Sequence, residues 1–255
     1  MIDITGLVIA GNEAPNIART LSKLTWLPEV VVIESNSVDG TRDIAASFPN
    51  VRVVTRAFTA QADQWDFALN HTGLHREWVL ALDADYVLTD QLISEIKGLE
   101  PDPQLAGYWA WFKYCVGGVP LRSGAYPPVA VLYRRAGASY RQDGHAQRVQ
   151  LDGPLGRLSA PVLHDDRKSL THWLGSQARY MALEAEKLSE PGVQLGFTDR
   201  LRRTLVLAPP TVFLYCYVIK GGMLEGRAGL FYALQRTVAE TILSLYLLKK
   251  KLGLA

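Results

Sequence analysis

Apolar positions follow two rhythms along this chain of 255 residues. In the first third, short β-branched runs alternate with stretches of helical period, the pattern of a parallel sheet with crossover helices. Ile4–Ala10, Val30–Ile33, Val51–Val54 and Trp78–Leu82 read as strands. Their near-continuous apolar character predicts burial on both faces. Glu13–Leu24, with Ile17, Leu21 and Leu24 at helical spacing, reads as the first helix, and another begins near Thr41 after the turn SNSVDG. Beyond Pro101 the rhythm becomes strand-like, clearest in GYWAWFKYCVGG (107–118) and PPVAVLYRR (127–135), which predicts a sheet continued in mixed orientation. From Ser169 it is helical again. Leu170, Trp173, Leu174, Gln177, Met181 and Leu188 are expected on one face, with Arg179, Glu186 and Lys187 opposite. Two apolar stretches follow, LVLAPPTVFLYCYVI (205–219), interrupted by Pro209 and Pro210, and AETILSLYLLKKK (239–251), with GGMLEGRAG (221–229) between them.

Composition narrows the class. Hydrophobic residues at 48% and charged residues at 20% describe a folded protein and exclude disorder, collagen and coiled coil. Two cysteines, Cys115 and Cys216, lack metal-ligand or disulfide-framework spacing, and the N-terminus MIDITGLVIAGNE lacks the basic start and cleavage pattern of a signal peptide. A cytoplasmic location is expected. The near-neutral net charge conceals an asymmetry: residues 1–165 carry 14 basic against 18 acidic side chains, and residues 166–255 carry 13 against 7. The basic half is also the most apolar, and its runs are shorter than the ~20 residues that span a bilayer. It therefore reads as a surface that lies on an anionic membrane, in preference to one for nucleic acid. The alternative is burial against the catalytic domain or a second copy, giving a homo-oligomer.

Candidate chemistry begins with Asp83–Ala84–Asp85, directly after the strand WVLAL. Two carboxylates two residues apart at a strand's C-terminal end offer hard oxygen ligands to a divalent cation, which can in turn hold a diphosphate. Isolated, such a pair also reads as solvated loop acids. Three upstream motifs share the same sheet edge: Gly11–Asn12–Glu13 after the first strand, Glu34–Ser35 after the second, and Ser37–Val38–Asp39–Gly40–Thr41 opening the next helix, where a capping role is expected in any case. Asp143 in the turn RQDGH is a candidate general base, with His145 as the alternative, and each also reads as a structural turn residue.

This order of motifs resembles family 2 glycosyltransferases of the GT-A fold. The resemblance implies a Rossmann-like nucleotide-diphospho-sugar transferase domain over 1–165 and a helical, membrane-associating extension over 166–255. It also implies a nucleotide sugar held by Gly11, Asn12, Glu13, Glu34, Asp39, Gln64 and Asp83, and Mn²⁺ or Mg²⁺ on Asp83, Asp85 and a late histidine, His164. The family usually carries Asp where this chain has Glu34, a methylene longer. QWDFAL (64–69), EWVLALDADYVLT (77–89), LHDDRKSLTHWL (163–174), ARYMALEAEKL (178–188) and GGMLEGRAGLFYAL (221–234) look most like the lipopolysaccharide core glucosyltransferase group. The QxxRW motif of processive synthases is missing. The expectation is an inverting, metal-dependent transfer of a single hexose, from a UDP-sugar, to a lipid-linked glycan at the inner face of the cell membrane, with no nucleic-acid partner. A sugar nucleotidyltransferase is the alternative enzyme, against which stands the first loop AGNEAPN, without glycine-rich or basic character. A non-catalytic membrane adaptor on a degenerate fold is the other.

Overall fold

The computed structural model describes residues 2–143, 146–190 and 195–254. Contacts divide the chain into two compact units: Met1–Cys115, Tyr126–Gln142 and Gln147–Arg167 form one, and Val116–Ala125, Asp143–Ala146 and Lys168–Ala255 the other.

The first unit opens with β1 (Ile4–Ala10), α1 (Ile17–Ser22), β2 (Val30–Glu34), α2 (Thr41–Ala46), β3 (Val51–Thr55), α3 (Gln61–Asn70) and β4 (Trp78–Asp83). β1 pairs in parallel with both β2 and β4, and β2 with β3. Then come β5 (Tyr86–Leu88), α4 (Asp90–Lys97), β6 (Gly107–Val116), β8 (Val129–Arg134), β9 (Ser139–Asp143), β10 (Ala146–Gln150) and β11 (Leu155–His164), the two-residue β7 (Val119–Pro120) belonging to the second unit. The sheet runs β3-β2-β1-β4-β8-β6-β11-β5, while β9 and β10 pair separately. β8 lies antiparallel to β4 and β6, β11 parallel to β6, and β5 antiparallel to β11. The mixed α/β architecture is the one expected.

Both faces of the central strands are covered, as their apolar runs require. Ile4, Val8, Val30, Val32, Leu80 and Leu82 pack with Ile17 and Leu21 of α1 and Leu92 and Ile96 of α4. Leu7, Ile9, Val31, Ile33, Val79 and Ala81 pack on Trp65, Ala68 and Leu69 of α3. Helix α1 is shorter than its apolar period predicts. The backbone N–H groups of Asn12, Glu13 and Ala14 are bound by side chains of the next loop, so those residues form a loop.

The second unit contains α5 (Leu170–Ser189), α6 (Phe197–Arg202), α7 (Ala208–Leu214) continued by a π-helical turn (Tyr215–Ile219), a 3₁₀ turn (Gly222–Glu225) and α8 (Gly226–Lys251). Ser169 caps α5 by accepting the N–H of His172 at 3.2 Å. The buried stripe of α5 differs from the expected one. Met181, Ala185 and Leu188 face Leu243 and Leu247 of α8, while Leu170 and Leu174 are exposed. Pro209 and Pro210 stand in the first turn of α7, where missing N–H groups cost nothing, so they start a helix instead of interrupting one. The segment 226–229, expected to separate two apolar stretches, is already α8. Arg202, mostly buried, lies 3.1 Å from Glu184 and 3.1 Å from Glu240, both buried.

Two glycines let the 3₁₀ turn and α8 approach. A Cβ on Gly229 would lie 2.0 Å from the Gly222 carbonyl oxygen, and one on Gly222 would lie 2.8 Å from that of Cys216. Glu225 then reaches back to accept hydrogen bonds from the backbone N–H groups of Arg122 and Ser123 and from the Ser123 hydroxyl. Gly229→Ala should therefore destabilise the protein by about 3 kcal/mol through overpacking against backbone. Gly175→Ala, within α5 with open space at its Cβ position, should stabilise it by about 0.5–1 kcal/mol. Urea unfolding followed by circular dichroism checks both.

Candidate active site

The parallel strands end at one edge, and three loops meet there. The first two are sewn together before any ligand arrives. Asn12 N–H donates to Ser37 Oγ (2.8 Å), Glu13 N–H to Thr41 Oγ1 (2.7 Å) and Ala14 N–H to Asp39 Oδ2 (3.0 Å). In return, Asn12 Oδ1 accepts from Val38 N–H at 3.0 Å. Asn12 and Asn36 adopt positive φ of 56° and 52°, a conformation that asparagine tolerates better than most residues. Asp39 Oδ1 also accepts from the Thr41 hydroxyl and N–H; burial alone would raise its carboxyl, but the hydroxyl bond first, and the backbone N–H bonds of Ala14 and Thr41 with it, hold it below the usual range. Glu34 is buried, with Oε1 accepting from Ser37 N–H, and Gln64 is buried with Nε2 on Ser35 Oγ (3.0 Å) and Oε1 on Arg56 (2.8 Å). Gly11 stands where a Cβ would already touch Ser35 at 3.4 Å.

Asp83 closes β4, in register with Ile9 of β1. The turn after it is fixed by its backbone. The Thr20 hydroxyl donates to the Ala84 carbonyl at 2.7 Å, and Asp165 N–H donates to the Asp85 carbonyl at 3.0 Å. On β11, His164 is in register with Tyr86 on one side and Tyr114 on the other. Its Nε2 lies 3.1 Å from Asp85 Oδ2, and its Nδ1 is buried without a hydrogen-bond partner. Tyr86, Tyr114 and Tyr126 surround the imidazole edge-on, with ring centroids 5.3, 5.0 and 4.8 Å away. Burial pushes the imidazole pKa down, but the charge and hydrogen bond of Asp85, with Asp83 and Asp166 behind, overcome this and leave it raised. Burial, reinforced by Tyr126, Asp83 and Asp85, keeps the Tyr86 phenol protonated, and its oxygen lies 2.6 Å from that of Tyr126.

The profile of the family described as "Glycosyl transferase family 2" matches residues 7–139, more than half of the chain. The chain belongs to that family. It is 24% identical to the lipopolysaccharide core biosynthesis glycosyltransferase LpsC of Rhizobium meliloti (strain 1021), an alignment covering 91% of this chain and 89% of the relative. An uncharacterized glycosyltransferase of Rickettsia bellii (strain RML369-C) is 34% identical over 95 residues, 37% of this chain and 31% of that one. Residues 1–349 of S. aureus TarS, solved with UDP-GlcNAc, share the fold at a TM-score of 0.51 and 14% identity, over 99% of this chain and 93% of that structure. The protein is thus a glycosyltransferase of the GT-A fold. The enzyme class and the fold are those expected, in place of the nucleotidyltransferase and the adaptor.

In this family 2 glycosyltransferase the match spans both loops and the Asp83–Asp85 turn but stops short of Asp143 and His164. Asp143 belongs to the second unit, where its Oδ1 lies 2.5 Å from Lys187 Nζ. His145 lies outside the described residues.

The structure adds residues that sequence reasoning missed. Asn16 is fully buried, and its amide binds Glu13 Oε2 (2.7 Å) and Asp166 Oδ1 (2.9 Å) while its oxygen accepts from Arg167 N–H (2.8 Å). Arg19, one turn on, pairs with the Asp165 carboxylate and donates to the Asp165 carbonyl at 2.9 Å. Their i, i+3 spacing, from the N-cap to the first turn of α1, was the available signal, since it sets the two on one side of the helix start. The three tyrosines gave no such signal, because only strand pairing assembles them.

Asp85 and His164 are chemically suited to a divalent cation, as a hard oxygen beside an imidazole nitrogen. Among the described residues, no three of His, Cys, Asp and Glu stand together as a metal cage. The Asp83–Asp85 turn depends on Thr20. Thr20→Val keeps the shape but leaves the Ala84 carbonyl unpaired. It should cost about 1–2 kcal/mol in urea unfolding and lower turnover roughly ten-fold through misplacement, while Thr20→Ser retains both.

Proposed function

We propose that this glycosyltransferase moves a single hexose, with inversion, from a UDP-sugar to a lipid-linked glycan of the lipopolysaccharide core type at a membrane surface. The observation that carries the reading is the placement of Asp85 against His164 at the edge where the two sewn loops end. The relationship to LpsC supports the acceptor class, and the UDP-GlcNAc complex of TarS supports the donor class.

The loops at Gly11–Glu13 and Glu34–Asp39 would receive the nucleoside, with Asp39 and Gln64 holding the loops' shape and the buried Glu34 bracing the second. Asp83, Asp85 and His164 would hold Mn²⁺ or Mg²⁺, which when bound balances charge on the departing diphosphate. Asp143 takes the proton of the acceptor hydroxyl as that oxygen attacks the anomeric carbon, and His145 is the alternative base. Asp85→Asn should lower metal-dependent donor affinity at least roughly ten-fold with the fold intact, measured by calorimetry with UDP-sugars with and without chelator. Unchanged affinity removes the assignment. Asp143→Asn should reduce kcat by about 10²-fold with donor binding kept. If instead His145→Ala is crippling and Asp143→Asn mild, the roles exchange.

The second unit supplies the membrane contact. No helix among the described residues is long and apolar enough to cross a bilayer. Yet Val206 and Leu207, just before α7, and Ile219 and Leu224, in the turns after it, are each more than half exposed, with Lys220 next to Ile219. Such exposed apolar side chains fit shallow insertion beside anionic headgroups. Ile219→Asp with Leu224→Asp should abolish binding to anionic vesicles in a flotation assay. Exchange of Lys249, Lys250 and Lys251 for Gln, or high salt, should weaken it without eliminating it.

A further inference from the structure

Helix α8 buries Tyr232, Ala233, Ala239, Glu240, Leu243 and Leu247 within its own unit. On its other side Phe231, Leu234, Val238, Thr241, Leu245, Leu248 and Leu252 all face outward. Their spacing alternates strictly between three and four residues over three heptads. The six apolar members are 39–61% exposed. Thr241, the polar member, already donates its hydroxyl to the Thr237 carbonyl at 2.9 Å, which leaves its methyl for packing.

We infer that this seam is the interface of a homodimer, formed by antiparallel pairing with α8 of a second copy. Three observations select that occupant. The 3.5-residue repeat makes a narrow seam, the geometry that knobs-into-holes packing with another helix uses, whereas a helix lying in a membrane plane presents a broad apolar sector. A membrane-plane helix also needs a cationic face at the interface, and the face of α8 opposite the seam is buried in its own unit. The third observation is charge. Between Phe231 and Leu248 the charged residues are Arg236, whose Nε is buried, and Glu240, buried against Arg202, while Arg227 precedes the seam and Lys249, Lys250 and Lys251 follow it. Parallel pairing would press the two lysine clusters together. Antiparallel pairing, with Phe231 opposite the partner's Leu248, sets the two clusters about 30 Å apart, so that each meets the single Arg227 of the other copy in place of three lysines, and opposes the helix dipoles favourably. This inference stands apart from the donor chemistry and from the lipid contact at residues 206–224.

The full-length protein, examined by sedimentation equilibrium in the micromolar range, should be a dimer. Leu245→Glu with Leu248→Glu should weaken that dimer by roughly 100-fold or more with unchanged circular dichroism, since both positions are exposed. Orientation is read by disulfide trapping, for which the native cysteines are buried and silent. A mixture of Phe231→Cys chains and Leu248→Cys chains should cross-link under mild oxidation, and either chain alone should not. The proposal is overturned by a monomeric wild-type protein, by a dimer indifferent to the glutamates, or by self-cross-linking of either cysteine variant alone. It is equally overturned if the glutamates abolish vesicle binding without changing the sedimentation mass, because the seam then faces lipid.

Discussion

The chain must pass from β4 to β5 through Ala84 and Asp85 alone, and this constraint organises the first unit. Along the sheet those strands are four steps apart, which at ~4.8 Å per step is roughly 19 Å in a flat sheet. Three residue steps of fully extended chain cover at most about 11 Å. The sheet therefore cannot be flat, and its far strands curl until β11 and β5 stand beside the C-terminal end of β4. The acidic turn is the link across that closure. Pairing of β5 with β11 then brings His164 to Asp85 across 79 positions of sequence, so the contact at the heart of the site follows from connectivity.

Rigidity at the neighbouring loops has a different origin. Backbone N–H groups of three successive residues, Asn12, Glu13 and Ala14, would be orphaned in an ordinary loop, and each finds an oxygen on a side chain of Ser37–Thr41. Asn16 extends the same stitching to Asp166 and Arg167, so the loop after β1 and the segment after β11 share one buried amide. Loops held this way lose little further conformational freedom when a ligand orders them, which favours binding.

Strands in this chain were legible because burial on both faces forces unbroken apolar runs, and Ile4–Ala10 and Trp78–Leu82 read directly. The Asp83–Asp85 pair was legible for the same reason: two acids ending an apolar strand have nowhere to be but its exposed edge. The tyrosine ring around His164 was not, since Tyr86, Tyr114 and Tyr126 come from different strands and loops with no periodic relation. Helix α5 misled because Leu170 and Leu174 continue the apolar period of Met181 and Leu188 while the packing partner, α8, covers only the second half. A hydrophobic period says which face is apolar, and it does not say how far the neighbour extends.

Net charge needs the same care. The basic excess of residues 166–255 suggested a cationic surface, yet Arg202 is consumed internally by two buried carboxylates. Such a pair of acids with one guanidinium is weak evidence of stability, because desolvation offsets most of the attraction, but it is strong evidence of position. With Glu184 on α5 and Glu240 on α8, Arg202 can satisfy both only in one helix register, and removing it would take the guanidinium from two buried carboxylates. The register it fixes is what turns Phe231, Leu245 and Leu248 outward together. An arginine spent on internal carboxylates thereby determines which apolar surface the helix presents.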